Sequence, residues 1–159
     1  MDKINSISGQ VARHLRDVHT GGNWVTVDLK STLADVGWKE AKMNMYGIHS
    51  IAALTFHMTY YLGVIMTVLE EGKLVGKDEL SWILPPIESQ DDWEKLQSET
   101  WQNAEKVALL IEKLPDEAWA QDFIDPKYGT NYRNVAGIIE HMHYHLGQII
   151  LIKKLIRQA

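Results

Sequence analysis

The fold class is decided by residues 50–72, which read SIAALTFHMTYYLGVIMTVLEEG. Apolar residues recur there at steps of three and four, which is the period of an α-helix. Serine is a preferred N-terminal cap and glycine commonly ends a helix, so Ser50 and Gly72 predict a helix that reaches about Glu71. The predicted core face comprises Ile51, Leu54, Met58, Tyr61, Ile65 and Leu69.

A second stripe of mainly small residues runs along the opposite side of this helix without a charge. A helix that is apolar on two sides is expected to be covered on two sides. Either a homodimer or a crossing by the connector at residues 23–47 would cover it, and the sequence favours neither. The stripe comprises Ala52, Phe56, Thr59, Gly63 and Thr67.

The same period predicts three more long helices, at residues 3–18, 89–114 and 134–157. Glycines 21 and 22 end the first of them, and Pro115 stops the next. The core stripes are Ile4, Ile7, Val11, Leu15 and Val18 in the first helix; Trp93, Leu96, Trp101, Ala104, Val107, Ala108, Ile111 and Leu114 in the next; and Ile138, Met142, Ile149, Ile152 and Ile156 in the last.

Together these helices predict a single all-α domain over residues 1–159, arranged as a four-helix bundle with a long connector between the first two long helices. The connector is expected to hold one short helix at about residues 29–36 and another after Trp38. A chain of 159 residues buries a sufficient core without a disulfide or structural metal. A bound metal would therefore be functional.

Composition excludes several classes of partner and chemistry. The net charge is -5 and no basic run is present, which argues against nucleic acid and anionic membranes. The absence of cysteine excludes a disulfide, a protein thiol nucleophile and a thiolate zinc site. No apolar run is expected to reach the roughly 18 residues of a membrane span, and Met1 to Gly9 lacks the apolar core of a signal peptide. A cytoplasmic protein with small-molecule ligands is expected.

Two histidines of the last helix point toward the predicted core. At about 100° per residue, His145 lies within roughly 20° of the core line and His141 about 60° to one side. His143 lies about 140° away and cannot share a metal ion with them. Imidazoles four residues apart reach a common ion, although such pairs also occur as hydrogen-bonded core histidines.

His57 is the third candidate ligand, because it lies about 60° from the core line of its own helix. Three neutral imidazoles leave an open coordination position, as in catalytic sites, and zinc or nickel suits nitrogen ligands. The alternative is that His57 is a single histidine at the core edge. Among the others, His14 borders the first core stripe, His19 suits the helix dipole near a C-terminus, and His49 belongs to a turn.

The run HMHYHLGQI at residues 141–149 resembles the last-helix signature of DinB-like proteins, in which a histidine, three residues, a second histidine and a Gly-Gln-Ile step recur. Residues 49–57 resemble the second helix of that family, through His49-Ser50-Ile51, Leu54 and His57, the last matching its first metal ligand. Residues 21–24 and 29–33 are similar to the aromatic connector of one branch. The likeness spans nearly the whole chain.

This resemblance implies an up-up-down-down-like four-helix bundle, frequent homodimers, and a nickel or zinc ion held by His57, His141 and His145. It also implies the activity of some members, which conjugate low-molecular-weight thiols such as bacillithiol or mycothiol. Many relatives have a charged or small residue where this chain has Met142. The surroundings of the ligands therefore depart from the family pattern.

Three functions remain open at this point. A metal-dependent thiol transferase fits the resemblance and the absence of protein cysteine. A metal-dependent hydrolase needs a positioned acid/base group, but Met142 replaces the glutamate of an HExxH motif and Glu140 lies about 160° from the core line. The third is a non-enzymatic dimeric protein that binds metal or a small ligand under stress.

Three further residues have two interpretations each. Tyr61 either donates a hydrogen bond at the site or fills the core. Gln148 either bonds a ligand or a neighbouring histidine, or makes a structural helix contact. Trp24 either covers the site as an apolar lid or packs in the connector.

Overall fold

The computed structural model describes residues 6–158, which form six α-helices and no β-strand. Three short 3₁₀ helices occupy the loops, at Asp78–Trp82, Asp116–Ala120 and Pro126–Tyr128. The fold is therefore all-α, as the sequence predicts. The α-helices are α1 (Ile7–Thr20), α2 (Leu29–Leu33), α3 (Trp38–Ala41), α4 (Ile51–Glu71), α5 (Gln90–Ile111) and α6 (Asn131–Gln158).

Local capping fixes where the long helices begin and end. The Ser50 hydroxyl accepts a hydrogen bond from the Ala53 amide at the start of α4, and the Ser89 hydroxyl accepts one from the Asp92 amide at the start of α5. Gly72 ends α4 in the left-handed region, at φ 66°, where glycine has no steric penalty. The predicted bounds of α4 are confirmed.

The four long helices enclose one core, because α5 and α6 each pack against both α1 and α4. Consecutive long helices α1 and α4 therefore do not lie side by side, and the connector crosses between them. Its short helices add Leu29, Leu33 and Ala41 to the same core: α2 contacts α1 and α6, and α3 contacts α4 and α5. The indole Nε1 of the fully buried Trp93 donates to the Val36 carbonyl at 2.8 Å and fixes the connector on α5.

Two helices are rotated relative to their predicted core lines. In α1 the predicted Ile7 is 45% exposed, whereas Ser8 and Ala12 are buried, and Ile4 lies outside the described residues. In α6 the predicted Ile138 is only partly buried, whereas its neighbour Ile139 is buried. The reason is that α6 packs against two helices at once, so its buried face is broader than one line of residues. His141 consequently lies at the edge of that face.

Helix α4 is long and apolar enough, at a mean hydropathy of 1.5, to cross a membrane by length and composition alone. The expectation that no segment reaches that level is therefore wrong for α4. Within the protein, 56% of its most apolar window is buried. The core helix of a bundle passes the same test, because it packs against neighbours on several sides.

The second stripe of α4 is partly covered by α5. Thr59 is buried, and its hydroxyl lies 2.6 Å from that of Thr100 on α5. Phe56, Gly63 and Thr67 remain only partly buried along a shallow groove between the two helices. The connector does not line this groove. Of the two predicted ways to cover the stripe, only a homodimer could therefore bury the part that is still exposed.

Candidate metal centre

Three imidazole rings converge between α4 and α6. The Nε2 atom of His141 lies 3.0 Å from Nε2 of His57 and 2.9 Å from Nε2 of His145. One ligand atom from each ring lies within 4.8 Å of the others, and no fourth His, Cys, Asp or Glu of residues 6–158 joins them. The histidines of α4 and α6 therefore lie together, as their predicted helix phases indicate.

The hydrogen bond to Ser81 fixes the tautomer of His57. The Ser81 hydroxyl donates to the carbonyl oxygen of Asp78 at 2.6 Å, so its proton is already used. His57 Nδ1 lies 2.8 Å from the Ser81 hydroxyl oxygen and must therefore be the donor in that contact. The lone pair of His57 is left on Nε2 and faces the other two rings.

Gln148 fixes the tautomer of His145 in the same way. Its amide nitrogen donates to the Tyr144 hydroxyl at 3.1 Å, and its Oε1 lies 2.6 Å from His145 Nδ1. In this orientation Nδ1 carries the proton and Nε2 presents its lone pair to the centre. The interpretation of Gln148 as the partner of a neighbouring histidine is the one found in the structure. An outer hydrogen bond of this kind orients metal-ligating histidines.

The resulting donor set fits a divalent transition metal. Nε2 of His57 and Nε2 of His145 are both hydrogen-bond acceptors. In the metal-free protein only a proton on His141 Nε2 could bond them, and one proton cannot make good hydrogen bonds to both. Metal–nitrogen distances of about 2.0–2.1 Å bring adjacent nitrogens to roughly 3 Å, close to the observed separations. Nδ1 of His141 has no hydrogen-bond partner among the described residues.

Burial keeps the three rings in the neutral form that binds metals. Burial and, to a smaller extent, the neighbouring imidazoles lower the pKa of His57 to about 4 and the pKa of His141 to about 4. Burial also lowers the pKa of His145. A metal ion therefore does not compete with protons for these nitrogens near neutral pH.

An aromatic ring from the loop between α4 and α5 covers the outer side of His57. The Trp82 indole stacks on the His57 imidazole at 3.8 Å between centroids and on the His49 imidazole at 4.0 Å. His49 is thus more than a turn residue, since it holds the indole from the opposite side. This three-ring stack prevents His57 from turning away from the centre.

Tyr61 occupies the edge of the site rather than the core. Its ring lies edge-on to His57 at 5.0 Å and to His141 at 5.1 Å, and its hydroxyl donates to Asp78 Oδ1 at 2.8 Å. Burial and the adjacent carboxylate raise the pKa of Tyr61 to about 12. The phenol therefore keeps its proton at neutral pH and donates it in a hydrogen bond to Asp78 beside the triad.

A cleft of about 720 Å³ opens onto the two histidines His57 and His141. One wall is formed by Tyr61 and Asp78, and the other by the first turns of α6. The small residues Ala136 and Gly137 of α6 are also part of its lining. A small molecule can therefore reach the converging nitrogens from solvent through this cleft.

Other candidates from the sequence lie elsewhere. Trp24 is 97% exposed and lines a separate cavity with His14 and His143, so it does not cover the triad. His143 bonds the Ile139 carbonyl and contacts the His14 ring, as its predicted phase requires. The interpretation of His19 as a cation at the helix dipole is wrong, because burial lowers its pKa to about 4 and keeps it neutral.

Sequence reasoning missed four residues of this site: Asp78, Ser81, Trp82 and Arg133. The first three lie in the 3₁₀ helix Asp78–Trp82, more than twenty residues from His57 in the chain. No periodic pattern or motif marks that loop. Its approach to the triad follows only from the packing of α4 against its own C-terminal loop.

Comparison of the chain with protein-family models, with curated proteins and with solved structures found no match. The likeness to DinB-like proteins therefore depends on the residues quoted above.

Substitution of Ser81 by alanine is expected to weaken metal binding about 10- to 100-fold, because His57 Nδ1 loses its hydrogen-bond acceptor. Competition of the purified protein with a chromophoric zinc chelator measures the change. Ser98→Ala on the exposed face of α5 is the matched control and should leave affinity unchanged. Equal affinities for wild type and Ser81→Ala would show that the tautomer of His57 is not set by Ser81.

Proposed function

We propose that this protein is a DinB-like metalloenzyme with a four-helix bundle that holds one zinc or nickel ion on His57, His141 and His145. The observation that supports it most directly is the convergence of three Nε2 atoms, two of them on histidines that line an open cleft, without a fourth His, Cys, Asp or Glu among residues 6–158. Structural metal sites are closed by four protein ligands, whereas catalytic ones keep a position free.

Activation of a small thiol is the favoured reaction. His57, His141 and His145 would hold a divalent ion whose Lewis acidity would lower the pKa of a substrate thiol and favour its attack on an electrophile. The chain itself has no cysteine, so the sulfur must come from the substrate. Ser81 and Gln148 orient the rings, and Trp82 shields His57 from solvent. The neutral Tyr61 donates to Asp78 at the edge of the cleft.

The test is conjugation of thiols to chlorodinitrobenzene by protein purified without an affinity tag. Cysteine, glutathione, bacillithiol and mycothiol are assayed in turn after loading with zinc or nickel. At least one thiol should react about tenfold faster or more than without protein, and His145→Ala should remove the acceleration. Metal bound in stoichiometric amount with no acceleration of any thiol would contradict the transferase.

Metal-dependent hydrolysis is the second candidate, and the Tyr61–Asp78 hydrogen bond is the observation that favours it. It places a proton donor and a carboxylate beside the triad, which are the acid/base groups that the helix phases did not predict. Hydrolysis of nitrophenyl esters that is lost in Tyr61→Phe, with thiol conjugation absent, would select this reaction. Metal binding without either activity would select a non-enzymatic metal-binding protein.

We further propose a homodimer that covers the half-buried stripe of α4 around Gly63, and a cytoplasmic location. Light scattering tests the first, since a dimer has twice the chain mass of 18.2 kDa. A dimer that persists in Gly63→Arg would place the interface elsewhere.

A further inference from the structure

Helix α6 carries Arg133, Gly137, His141 and His145 at intervals of four residues. Each step of four turns about 40° around the axis, so these residues form a slanted line in which Arg133 lies about 80° from His141. Arg133 and His141 are two turns apart, about 12 Å along the axis. The line runs through the cleft described above, which Arg133, Gly137 and His141 all border.

Gly137 leaves the middle of this line open. A Cβ atom built there would meet nothing within 4 Å, so the space above the helix is empty between the arginine and the histidines. The neighbouring Ala136 adds only a methyl group to the lining. The result is a groove along α6 that leads from the guanidinium to the triad.

Charge is unequally distributed along this groove. Two carboxylates border it at the histidine end: Asp78, bonded to Tyr61, and Glu140, next to His141 in the chain. At the far end Arg133 forms no ion pair with any of residues 6–158. Arg133 is thus the one cationic side chain among the described residues that line the cleft, and it attracts an anionic group of a ligand two turns from the triad.

We propose that the groove binds an elongated thiol end-on, with its sulfur at the histidine triad and a carboxylate on Arg133. This inference rests on the proposed function, to which it adds the charge and the length of the substrate. A guanidinium pairs with a carboxylate through two parallel hydrogen bonds, which suits recognition at a fixed distance from the metal.

The probes are mercaptoalkanoates of different length and the mercaptoalcohols of matching length. Binding is followed on cobalt-substituted protein by thiolate-to-cobalt charge-transfer absorption, which requires no turnover. Mercaptooctanoate, which spans the groove, should bind about five- to tenfold more tightly than mercaptooctanol. High salt should reduce the difference. Mercaptopropionate is too short to reach Arg133, so its affinity relative to mercaptopropanol should be the same with and without Arg133.

Arg133→Gln should remove the preference for mercaptooctanoate and leave mercaptooctanol binding unchanged. The side chain is exposed, so this variant should fold normally. Arg13→Gln on α1, which makes the same change in net charge at another exposed arginine, is the matched control and should keep the preference. Gly137→Leu should block both long thiols, whereas Gly147→Leu, outside the groove on the same helix, should not.

The outcomes separate this inference from the proposed function. Wild-type protein that binds mercaptooctanol and mercaptooctanoate equally, or an equal loss of both in Arg133→Gln, would overturn the groove assignment alone. Wild-type protein that takes up no cobalt, zinc or nickel would overturn the proposed metal site, and this inference with it.

Discussion

Replacement of His141 by alanine is expected to reduce bound zinc or nickel from about one ion per chain to background, with an affinity loss of more than about a hundredfold. His141 is the middle ring of the three, since its Nε2 lies 3.0 Å from that of His57 and 2.9 Å from that of His145. Without it, two nitrogens from different helices remain. Elemental analysis of protein purified without an affinity tag measures the loss.

His143→Ala is the matched control, because this histidine is two residues away on the same helix and bonds the Ile139 carbonyl instead of the centre. It should retain the wild-type metal content. His145→Ala should behave like His141→Ala. If His141→Ala and His145→Ala kept metal as His143→Ala does, or if wild-type protein contained none, the triad would be an ordinary hydrogen-bonded cluster of buried histidines.

Acidification is expected to destabilise the protein through His19, by about 3 kcal/mol when the pH falls from 7 to 4. Burial lowers the folded-state pKa of His19 from 6.5 to about 4, and its Nε2 has no hydrogen-bond partner among the described residues. Because the folded pKa is the lower one, the unfolded chain binds more protons between these values. The contribution is complete above pH about 6.5 and is lost as the pH falls toward 4.

Urea unfolding of metal-free protein at several pH values, for wild type and His19→Met, tests this expectation. The buried histidines of the triad shift stability in the same direction in both proteins, so the difference between the two curves isolates His19. It should change by about 2 kcal/mol between pH 7 and pH 5. His14→Met, at an exposed position of the same helix, should follow the wild type. Parallel curves for all three would show that His19 is hydrated and titrates normally.

The two rotated helices show where periodicity loses accuracy. The predicted line of α6 averaged Ile138, Met142 and Ile149, but contact with both α1 and α4 extends the buried face to Ile139 and Leu146. A single line cannot describe a helix with two neighbours. The broader buried face of α6 has a functional consequence, because it leaves His141 at the rim of the core, where the cleft reaches it.

Information local to the chain was sufficient for the bounds of α4 and for the spacing of His141 and His145, because hydrogen bonds of a capping serine and the pitch of a helix depend on a few adjacent residues. Tertiary structure decided what surrounds them. His57 meets His141 across 84 positions of the chain, and Ser81 and Trp82 reach His57 from an unpatterned loop. Such contacts depend on how whole helices and loops pack, which no short stretch of sequence specifies.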